Sequence, residues 1–110
     1  MKNSFIKIEV PEEFRNDNSG IPGTPGPVYA TLGSLPGEIL LQWDSIGNAS
    51  KYVIEISKIN SAKWLKLDII KDPLYCITGL KPGVEYAFRV AAVYTEGTSG
   101  WSREVTKKAK

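Results

Sequence analysis

Between residues 86 and 92 the chain alternates, position by position, between larger apolar side chains and a second set that includes Arg89. This period of two is that of a β-strand with one face in a core. The strand follows Lys81-Pro82-Gly83, where proline fixes φ and glycine tolerates positive φ, so a tight corner is predicted just before it. A chain with this pattern is expected to form sheet rather than helix.

Six further stretches are strand-like, with turn residues between them, and no stretch has a helical pattern of useful length. Their apolar positions are Val28, Ala30 and Leu32; Ile39, Leu41 and Trp43; Tyr52, Ile54 and Ile56; an extended stretch 64–69; Tyr75 and Ile77; and, more polar, residues 102–108. Short strands at this spacing predict an all-β fold, a seven-stranded antiparallel Greek-key sandwich.

The sequence divides into three segments. Residues 1–20 form an N-terminal arm with a strand-like start and a polar, turn-rich end, expected to be either flexible or paired with a sheet edge, here or in a neighbour. Residues 21–27 are rich in proline and glycine and are predicted to be a semi-rigid linker. Residues 28–110 are predicted to be the folded domain.

Five residues have predicted structural roles. Pro82 and Gly83 shape the corner, and Leu80 is expected to enter the core there. Tyr86 is predicted to point inward, where its hydroxyl needs a partner that the corner backbone can supply, because an unpaired buried hydroxyl is costly. Trp43 is predicted to lie in the core between the sheets.

These pieces together resemble a fibronectin type III domain over residues 24–108. The matching stretches are Pro25-Gly26-Pro27, Leu41-Gln42-Trp43-Asp44, residues 52–56, residues 78–86 and residues 97–102. The resemblance implies a fibronectin type III-like sandwich in which Trp43 is the core tryptophan and Tyr86 the corner tyrosine. An immunoglobulin domain would have paired cysteines on the second and sixth strands, and neither strand has a cysteine here.

Composition removes several classes of function. The chain has no histidine and one cysteine, so it lacks the residues for Ser-His-Asp or Cys-His catalysis and for cysteine-rich zinc sites. No loop has the several carboxylates that calcium prefers. We therefore predict no catalytic residues, no cofactor and no metal, and no enzyme activity. Cys76 lies in an apolar strand-like run and is expected to be buried as a small hydrophobic residue.

Charge and hydropathy also limit the partners. The net charge of +2 is spread along the chain rather than gathered on a basic face, which argues against nucleic-acid binding. No apolar run reaches the roughly 20 residues of a membrane helix, so no membrane insertion is expected. We expect a monomer with a protein partner, and a carbohydrate is the alternative ligand.

The loops at one end of a sandwich are the default recognition surface. Ser45, Ile46 and Asn48 belong to the predicted loop 44–50, and Glu96 and Thr98 to the predicted loop 95–100. The second loop has no Arg-Gly-Asp, so the integrin binding of some family members is not implied by the resemblance.

Three further residues are candidates on the sheet surface. Gly100-Trp101-Ser102 resembles half of the Trp-Ser repeat of cytokine-receptor domains, in which arginine side chains stack on tryptophan. Arg89 faces outward by alternation and could stack on Trp101, but the preferred interpretation is that Trp101 packs locally at the start of the last strand. Trp64 lies on a predicted edge strand, where it could bind a sugar, contact a protein or cover the flank of the sheet.

The leading hypothesis is a non-catalytic interaction or spacer module of a larger assembly, bacterial or at a cell surface. The first alternative is a carbohydrate-associated accessory domain of a glycan-degrading system, with Trp64 and Trp101 as platforms. The second is a small intracellular adaptor that binds through its N-terminal arm. A piece of a longer protein is expected outside the cell or on its surface, whereas a complete gene product is expected in the cytoplasm, because residues 1–10 do not read as a signal peptide.

Overall fold

The computed structural model describes residues 23–110, so the predicted arm (residues 1–20) and the first two linker residues lie outside the described part. The described residues form strands and loops without helix. The strands are β1 (Tyr29–Leu32), β2 (Ile39–Gln42), β3 (Lys51–Lys58), β4 (Leu65–Ile70), β5 (Leu74–Ile77), β6 (Glu85–Tyr94), β7 (Gly97–Thr98) and β8 (Val105–Lys108).

Two antiparallel sheets face each other. The smaller sheet has the order β1-β2-β5, and in the larger sheet the order is β4-β3-β6, with both β7 and β8 paired to β6. The chain changes sheet after β2, after β4 and again after β5, as a Greek-key sandwich requires. The predicted fold class is confirmed, with eight strands in place of seven. The additional strand, β7, is a two-residue hairpin partner of β6 inside the predicted loop 95–100.

The core lies between the sheets and is built from the alternating apolar positions of β2, β3 and β6. Its largest fully buried side chains are Ile39, Leu41, Ile54, Phe88 and Val90. Trp43 follows β2 and is 5% exposed, with its ring edge-on to Tyr52 at a centroid distance of 5.4 Å. Its indole Nε1 is buried without a hydrogen-bond partner among the described residues.

The predicted corner is present. Gly83 has φ +85°, and the backbone N–H of Lys81 donates to the hydroxyl oxygen of buried Tyr86 at 3.1 Å. Leu80 is half-buried and packs against the core rather than lying fully inside it. The backbone of the corner is further held by the last residues of the chain, because the Gly83 N–H donates to the carbonyl of Ala109 at 2.8 Å.

The expected burial of Cys76 is wrong, because the thiol is exposed. In β5 the side chains of Tyr75 and Ile77 pack on the core. Since successive strand residues point to opposite faces, Cys76 and Leu74 lie on the outer face of the smaller sheet. A fully apolar run hides which of its two residue sets faces inward.

The described chain runs between opposite ends of the sandwich. At the loop end, which carries residues 44–50 and 95–97, the Tyr94 hydroxyl donates to the Gly23 carbonyl at 2.9 Å. At the corner end, which carries residues 33–37 and 81–84, the Gly37 N–H donates to the Lys110 carbonyl at 2.7 Å. The ten residues of β6 separate these two ends, a span of about 30 Å at strand rise.

Candidate interaction surface

An arginine–glutamate pair occupies the middle of the outer face of the larger sheet. Arg89 of β6 lies directly opposite Glu55 of β3 in the strand register. The Arg89 Nε and Nη2 groups both donate to Glu55 Oε1, at 3.0 and 2.7 Å. The two side chains are only 23% and 17% exposed, which makes this pair less screened by solvent than an ordinary surface ion pair.

Two tryptophans enclose the same guanidinium group. The Arg89 Cζ atom lies 4.2 Å from the ring centroid of Trp64 and 4.3 Å from that of Trp101. These distances place the cation within cation–π range of both rings. The stacking of Arg89 on Trp101, which the sequence left as the less favoured alternative, is therefore present, and Trp64 joins it. We call Trp64, Arg89 and Trp101 the tryptophan–arginine stack.

The two tryptophans reach the stack from opposite edges of the larger sheet and lie on the same face of it. Trp64 immediately precedes β4, the edge strand next to β3. Trp101 precedes Ser102, which anchors its segment to β6: its N–H donates to the Val90 carbonyl at 2.7 Å, and its Oγ accepts from the Val90 N–H at 2.9 Å. The stack thus connects the two edges of the larger sheet across its outer face.

The stack limits what the two tryptophans can bind. Arg89 occupies one face of each indole, which leaves the opposite faces and edges for a partner. Trp101 is 38% exposed and Trp64 is half-buried, so both present part of their surface. The charge of Arg89 is already matched by Glu55, so this stack presents mainly aromatic surface rather than an unpaired cation.

The loop candidates lie together at the loop end, away from the stack. Ser45 and Asn48 are exposed, whereas Ile46 is half-buried against the core and its N–H donates to the Tyr52 hydroxyl at 2.8 Å. The other two candidates, at 96 and 98, belong to the β6–β7 hairpin. The Ser50 N–H donates to the carbonyl of Val93 at 2.8 Å and so ties the end of the first loop to β6, the strand that leads into the second loop.

Sequence reasoning missed a groove at the turn between β3 and β4. The groove has a volume of about 220 Å³ and is lined by Ile56, Ser57, Lys58, Ser61, Lys63, Leu65 and Tyr86. The only sequence signal was a pair of lysines on either side of a polar turn, which is common on surfaces. The groove depends on the packing of β3 against β6, which the local sequence does not reveal.

A side-chain hydrogen bond joins the two sheets at their β4 and β5 edges. The Tyr75 hydroxyl donates to Asp68 Oδ2 at 3.2 Å. Burial raises the pKa of Tyr75 above its ordinary value, and the hydrogen bond and negative charge of Asp68 raise it further. The other carboxylate oxygen of Asp68 accepts the Ile69 N–H at 2.8 Å.

Two kinds of feature are absent from residues 23–110. Among these residues no helix has the length and apolar character needed to cross a membrane. Nowhere in the same range do three or more histidine, cysteine, aspartate or glutamate side chains gather in a way that could hold a metal ion.

Known proteins with related sequences and folds agree with this architecture. Titin from Drosophila melanogaster is 35% identical over 83 residues, which cover 71% of this chain and, to the nearest percent, 0% of titin. The chain therefore spans only a very small part of the length of that relative. A fibronectin type III-like protein from Clostridium thermocellum has a TM-score of 0.70 and 24% identity, covering 77% of this chain and 90% of that one. The FN5 domain of Drosophila Lar has a TM-score of 0.65 and 25% identity, covering 80% of this chain and 96% of that one.

The family model for the fibronectin type III domain matches residues 13–108, which is most of the chain and includes part of the predicted arm. The two facing sheets, the corner with its tyrosine hydroxyl and the buried tryptophan after β2 agree with that match. The chain belongs to the fibronectin type III domain family.

Proposed function

We propose that this chain is a non-catalytic module that holds neighbouring parts of a larger assembly apart and in line, and that binds a protein partner. The observation that carries the proposal is the position of Gly23 and Lys110 at opposite ends of the sandwich. A domain crossed from end to end by its chain adds its own length between whatever is attached to it. Similarity to titin, of which the chain covers only a small part, supports a modular role.

The construction of the larger sheet supports stiffness. Its two central strands, β3 and β6, are held by a long register of eight paired positions. The tryptophan–arginine stack then ties the Trp64 and Trp101 segments together across the outer face. A module with this construction is expected to keep a fixed end-to-end distance until it unfolds.

The test places the full chain between two small, rigid reporter domains that carry spin labels. Pulsed electron–electron double resonance is expected to give one narrow distribution of the distance between the two spin labels. This distribution is expected for samples kept at any temperature below the unfolding temperature before freezing. A Gly/Ser linker of equal length in the same position serves as the control and is expected to give a broad distribution. A distribution for the folded chain as broad as that of the linker would contradict the spacer role.

The carbohydrate alternative has less support from the geometry. A sugar platform needs an open indole face, and Arg89 covers one face of both candidate tryptophans. The alternative predicts retention on an insoluble polysaccharide that is lost in Trp64→Ala and Trp101→Ala. The adaptor alternative rests on residues 1–20, which lie outside the described residues, and predicts that deletion of the arm abolishes partner binding.

A further inference from the structure

The groove at the β3–β4 turn combines an apolar floor with cationic margins. Ile56 and Tyr86 are buried at its base, whereas Leu65 is 63% exposed at its side. Leu65 therefore extends the apolar surface of the groove outward to where a partner can reach it.

The charges at the groove all have one sign. Lys58 and Lys63 are the charged members of the lining, which contains no carboxylate from residues 23–110. Two acidic residues, Glu55 and Glu85, adjoin lining residues along the chain, because they directly precede Ile56 and Tyr86. Both therefore point to the other face of the sheet. There Glu55 pairs with Arg89, and Glu85 lies opposite Lys108 in the register. An occupant with a negative charge next to its apolar part is the complement of this lining.

The groove is already shaped by hydrogen bonds within the turn. The Ser61 N–H donates to the Lys58 carbonyl at 3.0 Å, and the Lys63 N–H donates to Ser61 Oγ at 3.1 Å. Asn60 adopts φ 71°, a left-handed conformation that asparagine tolerates better than most residues. The Ile59 N–H donates to the Glu85 carbonyl at 3.1 Å and fixes the turn to β6. A preformed groove loses little entropy on binding.

The volume of the groove decides what kind of occupant fits. Sites for drug-sized small molecules enclose roughly 300–1,000 Å³. The volume here, about 220 Å³, falls below that range and suits a single bulky side chain. Single apolar or aromatic anchors in such pockets supply much of the affinity in protein–protein interfaces.

We propose that this groove binds an extended segment of a partner protein in which a leucine or phenylalanine side chain stands next to aspartate or glutamate. The apolar side chain occupies the space over Ile56 and Tyr86 beside Leu65, and the carboxylates lie against Lys58 and Lys63. The inference names the chemistry of the partner in the proposed function. It is independent of the spacer role, because the end-to-end distance measurement does not involve this groove.

The probes are short N-acetylated, C-amidated peptides in which one leucine or phenylalanine stands between two glutamates. They are titrated into the isotope-labelled full chain, and amide chemical shifts are followed. Saturable shifts are expected for residues 57–65 and for Tyr86. Peptides with glutamine in place of both glutamates, or with alanine in place of the apolar residue, are each expected to bind at least about fivefold more weakly, equivalent to about 1 kcal/mol.

Two variants test the two halves of the site. Lys58→Glu with Lys63→Glu is expected to weaken the glutamate peptide at least about fivefold and to leave the glutamine peptide unaffected or slightly improved. Lys51→Glu with Lys71→Glu makes the same change in net charge at the other end of β3 and β4, and is expected to bind like the parent. Leu65→Ala, at an exposed position that tolerates truncation, is expected to weaken both peptides.

Several results would overturn the proposal. They are the absence of saturable shifts at millimolar peptide, equal losses in the two double-lysine variants, and shifts confined to residues outside the groove. Decanoate is the control for a lipid-like ligand. If it binds at the groove as tightly as the peptide or more tightly, the ligand of the groove is an anionic amphiphile and not a protein segment. The melting temperature of each variant shows whether the fold is intact.

Discussion

The backbone N–H of Lys81 and the side-chain hydroxyl of Tyr86 form a 3.1 Å hydrogen bond that closes the corner before β6. The tyrosine ring is buried, so the hydroxyl reaches the turn from within the core. This contact satisfies a backbone donor that the strand ladders do not reach.

Tyr86→Phe is therefore expected to lower the free energy of unfolding by about 1–3 kcal/mol, because the Lys81 N–H loses its acceptor while the ring packing remains. Urea denaturation measures the loss. Tyr29→Phe, at an exposed tyrosine of β1, is the matched control and is expected to change stability by less than about 0.5 kcal/mol. Equal effects of the two substitutions would contradict the role of the corner hydroxyl.

Trp43→Ala is expected to cost about 3–5 kcal/mol, because it leaves a large cavity between the sheets. Trp43→Phe is expected to cost much less, since the indole Nε1 has no hydrogen bond to lose within the described part of the chain. Chemical denaturation of both variants gives the comparison. A loss of less than 1 kcal/mol for Trp43→Ala would mean that the ring is not packed in the core.

Gly37 and Gly83 show two different reasons why a position can require glycine, namely backbone conformation and lack of space for a side chain. Both have positive φ, +80° and +85°, but a Cβ atom on Gly37 would lie 2.6 Å from the Leu80 carbonyl oxygen, whereas one on Gly83 would meet nothing within 4 Å. Gly83→Ala is expected to cost about 1–2 kcal/mol from backbone conformation alone. Gly37→Ala is expected to cost about 1–3 kcal/mol more, because the Gly37–Leu80 backbone contact must open.

Thermal and urea unfolding of the two alanine variants check this difference. Gly47→Ala, in open space and without positive φ, is the control and is expected to be neutral within about 0.5 kcal/mol. Similar losses at positions 37 and 83 would show that steric contact with Leu80 does not matter.

A double-mutant cycle measures the tryptophan–arginine stack. Arg89→Ala and Trp101→Ala are expected to be coupled by about 0.5–1 kcal/mol, the size of a partly exposed cation–π contact. Unfolding free energies of the two single variants and the double variant give the coupling. The pair Arg89→Ala and Lys71→Ala, whose side chains belong to different parts of the surface, is expected to be additive. Additivity of the Arg89 and Trp101 changes would argue against the stack in solution.

Deprotonation of Tyr75 is expected to lower the free energy of unfolding at alkaline pH. Its folded-state pKa is raised above the ordinary value of 10.0, by burial first and then by Asp68. The folded chain therefore holds the phenolic proton more tightly than the unfolded chain. The resulting stability is fully present below pH 10 and is lost as the pH rises from there through the folded-state pKa.

Urea unfolding at a series of pH values from 8 to about 11 tests this linkage. Tyr75→Phe is expected to flatten the decline above pH 10, whereas exposed Tyr29→Phe is expected to leave the slope of the parent. Burial also raises the pKa of Tyr94, so part of the decline is expected to remain in Tyr75→Phe. An unchanged slope in Tyr75→Phe would contradict the assignment to this side chain.

The alternation of apolar residues was sufficient to predict the sandwich, the inward position of Tyr86 and the outward position of Arg89. These are properties of single strands with a turn signal beside them, and the period of two determines the face. The contact of Arg89 with Trp101 was considered as an alternative because alternation places Arg89 outward and Gly100-Trp101-Ser102 resembles half of a Trp-Ser repeat. The participation of Trp64 was not, since it depends on the path of residues 59–64 after β3.

Each feature that the sequence did not reveal has a specific physical cause. In β5 both residue sets are apolar, so the sequence did not show that Tyr75 and Ile77, rather than Cys76, face the core. Strand β7 has only two residues and its pairing with β6 is not visible in a polar loop. The groove at the β3–β4 turn arises from long-range packing against Tyr86, which no short window of sequence contains.

The register of β4 shifts against β3 between Ile54 and Glu55, and next to this bulge the Asp68 carboxylate accepts the Ile69 N–H. The strand also carries Lys66, an exposed charge on the edge of the sheet. An irregular, capped and charged border of this kind discourages molecules from joining side by side into fibres. Crowded arrays of this module are thus expected to stay dispersed even where many copies lie close together.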